Sequence, residues 1–340
     1  CDCLSIECTH VSLSNVPIES RIKATGSNTF SLKNSTVKTV KTAAEEEKDK
    51  FALIVDSSSN VSLFNVKITD ESNESSIKIT NRSIVKIDKC EIGNSTETLI
   101  VLSTGCTLSV TNSFLHHTKA NMIYSPNLND IIISNCEFDG SSYPFIYATE
   151  SRLILKNNKF KNTEQNSLAF LACPLFHIEN NSFINCAGSA VSIQKKSFGY
   201  IKKNSFSQID GNAIFSDNSE IEIFENVINN QNYPAIALIK ESVGSIHDNE
   251  IKNVKLAAIA LRSSKYATIF NNVFDTCECG ISIKDSKKVL IEKNTITNCD
   301  IASIECFNLS VAFVKNNIIS NIKKDAFYCF EFGCIKAENN

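Results

Sequence analysis

Apolar and polar positions alternate in short runs along this chain, and the runs recur. The hexapeptide LKNNKF begins at Leu155 and returns as IENNSF at Ile178, IKKNSF at Ile201, IFENVI at Ile223, IHDNEI at Ile246, IFNNVF at Ile269, IEKNTI at Ile291 and FVKNNI at Phe313. Its fourth position gives Asn158, Asn181, Asn204, Asn226, Asn249, Asn272, Asn294 and Asn316, spaced 22 or 23 residues apart. Carried backwards the column lands on Cys136, Ser113, Cys90, Val66, Ser35 and Val16, and forwards on Asn340. A second, mostly small column lies 14 residues upstream and includes Ala190, Ala235, Ala258, Gly280, Ala302 and Ala326. Apolar residues follow it in alternation, as in Ile236 and Leu238 or Ile281 and Ile283, which is the period of a strand. A third column, Ser197, Ser219 and Ser242, slips by one to Ser264 and Ser286 and marks bends, where a hydroxyl bonds nearby backbone.

Each period therefore spells three short strands and their bends, with no 3.6-residue apolar pattern to suggest a helix. Three such strands cannot bury a face alone, but stacked coil on coil each pairs with its equivalent above and below. The pattern predicts an all-β parallel solenoid of about 14 coils. Coils in such a stack lie about 4.8 Å apart, close enough for an Asn column to bond along the axis as a ladder. Phe160, Phe183, Phe206 and Phe274, with Ile228, Ile251, Ile296 and Ile318, are expected to stack inward. Residues 1–340 read as one domain, with irregular coils over 1–51, a charged loop at about 41–50 around Glu45, and regular coils over 52–340. The start at Cys1 reads as a trimmed or excised end. The ladder position of Asn340, in mid-coil, predicts that the native chain continues.

Charge and composition narrow the function. A net charge of −3 with only four Arg among 340 residues disfavours nucleic acid, which needs a clustered basic face. No apolar run approaches the roughly 18 residues of a membrane helix. Of the 14 Cys, Cys186, Cys277 and Cys299 share one column with Ile209 and Val254 and read as small apolar residues. Cys277 and Cys279 lack a second pair at metal-ligand spacing, and Cys1, Cys3 and Cys8 form only a loose cluster. His116 and His117, adjacent in a strand, are expected to point to opposite faces and chelate poorly. No metal and no cofactor is expected.

Reading columns across coils brings out candidate chemistry. The residue before the ladder Asn is Lys203, Glu225, Asp248, Asn271 and Lys293 in five successive coils, so Glu225 and Asp248 should lie one rise apart, with His247 beside them. Stacked carboxylates repel, and that repulsion can raise one pKa for acid–base work. Glu225, Asp248 and His247 are the catalytic candidates, against a plain reading in which Lys203 and solvent screen an exposed bend. For binding, the outward position after the small column reads Ser192, Phe215, Ala237, Ala260 and Ser282, an almost uncharged strip. Tyr124, Phe215 and Tyr328 are the ligand-binding candidates on such a face, with rings able to stack on sugars.

From about Ala52 to Asn340, in segments such as AIALIKESVGSIHDNEI from Ala235 and GISIKDSKKVLIEKNTI from Gly280, the chain resembles the right-handed parallel β-helix repeat family, the NosD-like and carbohydrate-binding or sugar-hydrolase repeats. The resemblance implies a right-handed single-stranded parallel β-helix of the pectin lyase-like kind, a fold that hosts enzymes, adhesins and recognition modules. Polygalacturonase-like signatures are missing: the chain has no Asn-Thr-Asp, Asp-Asp or Gly-His-Gly. The expected function is a non-enzymatic scaffold that recognises glycans or other surface polymers. The alternatives are a polysaccharide lyase or glycoside hydrolase and an intracellular substrate-recognition module. Seven Asn-x-Ser/Thr triplets, among them Asn34 and Asn180, permit secretion and fit an extracellular or cell-surface location, with the cytoplasm as the alternative.

Overall fold

The structure, a computed structural model, describes residues 3–6, 10–26, 29–39, 51–57, 59–70 and 75–340. The predicted loop around Glu45 and the Cys1–Cys8 cluster fall outside the described residues or their described side chains. The chain forms two compact units, Cys1–Ser167 and Leu168–Asn340. Among the described residues there is no helix, and every strand pairing is parallel.

In the second unit one turn illustrates the rest. Its first strand is Ile236–Ile239, its second Val243–His247, and its third opens the long strand Glu250–Arg262, which runs on into the next turn. Alternate residues point inward, so Phe183 sits over Phe206, Phe206 over Ile228, Ile228 over Ile251 and Ile251 over Phe274. The Phe183 and Phe206 rings lie 4.9 Å apart and nearly parallel. Each such fully buried side chain contributes about 1.5–3 kcal/mol. Cys186, Cys277 and Cys299 are buried free thiols in the same wall, and burial pushes Cys277 up to about 12 and Cys299 to about 11, as expected of cysteines used for packing.

The Asn ladder is continuous in this unit. The backbone N–H of Asn204 donates to Asn226 Oδ1 at 2.9 Å, that of Asn226 to Asn249 at 3.0 Å, and that of Asn249 to Asn272 at 3.0 Å. A second ladder of hydroxyls runs at the first bend, from Cys173 N–H to Ser197 Oγ, Ser197 to Ser219 and Ser219 to Ser242. Buried backbone donors at tight bends need partners, and these two columns supply them. The residue before each ladder Asn turns the corner in the left-handed region: Lys203, Glu225, Asp248, Asn271 and Lys293 have φ of 54–55°. That conformation costs about 1 kcal/mol or more for most residues and least for Asn, so Asn recurs here in the sequence.

One register differs from the sequence pattern. The ladder passes from Asn294 to Asn317 and on to Asn340, with Asn317 Oδ1 taking the Asn294 N–H at 2.9 Å; Asn316 is the left-handed corner residue instead. Accordingly Ile319, not Ile318, pairs with Ile296, and Ile318 is 66% exposed. The reason lies in the preceding strand. A one-residue slip turns every side chain to the other face, and the observed register buries Ala312 and Val314 while leaving Phe313 outside.

The first unit has the same construction with a mixed ladder. Cys90 N–H donates to Ser113 Oγ at 3.0 Å, and Cys136 N–H to Asn158 Oδ1 at 2.9 Å. Its core stacks Ile92, Leu115, Phe138 and Phe160 in register, with the last two rings 4.8 Å apart.

Candidate functional site

The outward positions of the second strands in the second unit form three parallel columns. Phe198, Glu220, Val243 and Tyr266 are in register, as are Tyr200, Glu222, Ser245 and Thr268, and Lys202, Phe224, His247 and Phe270. The first two columns line a shallow groove of about 330 Å³ whose walls include His177, Phe198, Tyr200, Glu220, Glu222 and Tyr266. Phe198 and Tyr266 are 51% and 42% exposed, so their ring faces are available, and His177 stacks on Tyr200 at 4.2 Å.

The third column borders the groove and fixes one of its carboxylates. His247 is sandwiched between Phe224 at 5.0 Å and Phe270 at 4.6 Å, and Lys202 lies over the Phe224 ring. The ring nitrogens of His247 face Asp248 Oδ2 at 2.8 Å and Glu222 Oε1 at 3.2 Å. The stack thus holds the imidazole in place, and the imidazole holds Glu222 at the groove edge.

The structure brings His247 and Asp248 together but gives Glu225 different company. Glu225 Oε2 lies 3.3 Å from Lys203 Nζ and 4.0 Å from Lys202 Nζ. Glu225 and Asp248 occupy adjacent corners, yet each carboxylate has its own cationic or imidazole neighbour. Glu222 was missed in the sequence because it stands four residues, not one, before the ladder Asn, and only lateral pairing puts it beside His247.

The uncharged strip lies on the outward face of the first strands. Ser192, Phe215, Ala237, Ala260 and Ser282 are in one column that continues to Glu305 and Tyr328. Its small members are only 2–7% exposed, so they form a floor rather than a projecting surface. Phe215 is half-buried, and Tyr328 is 38% exposed. The next outward column, Gln194, Asp217, Ile239, Arg262 and Lys284, is not smooth: it carries charge directly beside the strip.

In the first unit Tyr124 pairs in register with Tyr147, and the rings stack at 5.6 Å. A larger groove of about 840 Å³ runs along the second bend of that unit, between corner residues such as Asn65 and Asn112 and the outward Lys67, Glu91, Phe114, Glu137 and Lys159. Most of its charges are already paired, Lys67 with Glu91 at 2.7 Å and Glu137 with Lys161 at 2.6 Å, while Lys89 lies over the Phe64 ring. His116 and His117 do not point to opposite faces, because His117 is a corner residue with φ of 49° and so leaves the strand alternation. Their Nδ1 atoms are 2.9 Å apart and hydrogen-bonded. His116 is buried above Gly93, with Nε2 3.4 Å from Glu91 Oε1, and burial, then His117, lowers its pKa. Among the described residues no three His, Cys, Asp or Glu side chains assemble as metal ligands, and no helix is long and apolar enough to cross a membrane.

Comparison with known proteins agrees with this architecture. The sequence pattern of a right-handed β-helix region matches residues 75–214 and 189–340. Among solved structures, the chain is similar to the A-module of the Azotobacter vinelandii mannuronan C-5 epimerase AlgE6, at 11% identity and a TM-score of 0.51, covering 93% of this chain and 88% of that one. It is also similar to the periplasmic alginate epimerase AlgG, at 10% identity and a TM-score of 0.45, covering 98% of this chain and 85% of that one. At such identities the likeness is one of fold. A search of the curated proteins finds no match to the chain.

Proposed function

The chain belongs to the right-handed β-helix family, and from that premise we propose that it is a non-enzymatic scaffold that binds glycans, with the aromatic groove of the second unit as its saccharide site. The observation that carries this reading is the pairing of exposed Phe198 and Tyr266 rings with the carboxylates of Glu220 and Glu222 along one groove wall. A pyranose presents apolar C–H faces and a rim of hydroxyls. Ring faces take the first, and the Glu220 carboxylate, the Glu222 carboxylate held by His247 and the Ser245 and Thr268 hydroxyls take the second. The groove volume lies in the range of small-ligand sites. A mannuronan epimerase module is among the structures of similar fold, which fits a polysaccharide partner. Polymers of that kind occur outside cells, so the reading carries an extracellular or cell-surface location with it.

The second reading is a polysaccharide lyase or hydrolase, and the contact between His247 and Glu222 at the groove edge is the observation that favours it. Binding is preferred because Glu225 and Asp248 are each engaged by a separate neighbour, Lys203 and His247, rather than by one another. Affinity electrophoresis against a panel of neutral and acidic polysaccharides tests the proposal, comparing the native chain with Phe198→Ser/Tyr266→Ser. Retardation of the native chain that the double variant loses supports it; equal behaviour of both overturns it. Release of reducing ends or unsaturated products by the native chain would replace it with the enzymatic reading.

A further inference from the structure

The charged column beside the strip holds an arrangement that the groove leaves unexplained. Arg262 is half-buried, and its guanidinium donates from Nη1 to the carbonyls of Leu261 at 3.0 Å and Ser282 at 3.1 Å, and from Nη2 to Ser282 Oγ at 3.2 Å. All three acceptors are neutral. Among the described residues no carboxylate lies within ion-pair distance of Arg262. Glu305 and Asp285 act on it only through space, while burial lowers its pKa.

A guanidinium has five N–H donors. The Nη1 and Nη2 end is occupied by Leu261 and Ser282, which leaves Nε–H and one Nη2–H without a hydrogen bond inside the protein. Those two donors form the side edge that receives a carboxylate in bidentate fashion. Lys284 is the lateral neighbour of Arg262 on the next turn and is exposed, so two cations stand directly opposite one another. Like charges in that position destabilise a sheet. Elsewhere the same unit pairs outward cations with acids, as in Lys240 with Asp217 at 2.7 Å and Lys315 with Glu292 at 3.2 Å. On the turn after Lys284, Phe307 is its lateral neighbour, and Tyr328, one turn beyond Glu305 in the strip column, meets Phe307 at 5.9 Å.

We propose that Arg262, Lys284 and Ser282 form a second subsite on the outward face of the first strands, one that takes the carboxylate of an acidic saccharide, with Tyr328, two turns beyond Lys284, stacking on a further sugar of the same polymer. The saccharide class rests on the glycan-binding reading; the anion site does not depend on the aromatic groove. The carboxylate bridges Arg262 and Lys284 and relieves their mutual repulsion, and the small, buried floor of Ala260 and Ser282 lets a polymer approach closely.

The test measures affinity of the full chain for polygalacturonate, its methyl ester, dextran sulfate and poly-glutamate at low and raised salt. Polygalacturonate is expected to bind about tenfold more tightly than its ester, and Arg262→Gln and Arg262→Lys to lose about that factor, which corresponds to one bidentate contact. Lys284→Gln, at an exposed position that leaves folding intact, should lose several-fold and reduce the salt dependence. Equal binding of acid and ester, or unchanged binding in both Arg262→Gln and Lys284→Gln, overturns the subsite. Equal binding of dextran sulfate overturns the carboxylate preference, and equal binding of poly-glutamate overturns the saccharide class. If Phe198→Ser/Tyr266→Ser abolishes binding while Arg262→Gln retains it, the groove stands and the subsite falls; the reverse pattern removes the groove and leaves the subsite.

Discussion

Asn249 and Asn272 are joined twice: the backbone N–H and the side-chain Nδ2 of Asn249 both donate to Asn272 Oδ1, at 3.0 and 2.9 Å. Asn249 Nδ2 also reaches back to the carbonyl of Ile223 at 2.9 Å, so a single amide connects three turns. Replacing it leaves the Asn226 N–H buried without its acceptor and removes a second donor from the Ile223 carbonyl. Asn249→Ala is therefore expected to cost about 2–4 kcal/mol in urea denaturation, whereas Asn271→Gly, at the exposed corner with φ of 54°, should change stability by less than about 0.5 kcal/mol.

The Asn316–Asn317 doublet places two amides at neighbouring positions with unequal burdens. Asn317→Ala should destabilise the chain by about 1–3 kcal/mol through the unsatisfied Asn294 N–H, and Asn316→Gly should be nearly neutral. The opposite order would move the ladder back to Asn316.

Glu222 and Glu225 are both acidic and near the same corner, yet their surroundings assign them different weight. Glu222→Gln should weaken saccharide binding about 5–10-fold, since a carboxylate held by His247 at the groove becomes a weaker acceptor. Glu225→Gln combined with Asp248→Asn should leave binding within about twofold. Isothermal titration with the oligosaccharide that binds best distinguishes the two.

His116 makes stability depend on pH. Burial and His117 lower its folded-state pKa below the usual 6.5, against a raising influence from Glu91, with Lys67 lowering it further. Between the folded and unfolded values the unfolded chain binds more protons, so stability rises with pH in that window. The contribution is fully present above 6.5 and is lost as pH falls through the lowered value. His116→Phe keeps a ring over Gly93 and should flatten that part of the pH profile of the urea midpoint, with the remaining slope due to carboxylates such as Glu91.

The ladder and the inward Phe and Ile stack were legible in the sequence because one residue type in a fixed period meets one structural demand at every turn. The doublet at 316–317 was not, since either amide satisfies the spacing and only the burial of Ala312 and Val314 decides between them. Glu222 and Arg262 escaped notice for a related reason. Outward positions carry no repeated residue type, and their meaning comes from which neighbours the lateral register supplies. His117 shows the limit of strand alternation, for a left-handed corner residue belongs to neither face.

Because each ladder Asn of the second unit bonds only to the turns before and after it, the length of this part of the chain is not dictated by its packing. Removing residues 250–272 would join Asn249 to Val273 and set the Asn249 N–H beneath Asn294, with the same partners it has now in kind. The repeat therefore works as a ruler whose marks can be added or struck out whole. The number of turns is free to vary without leaving a ladder amide unpaired.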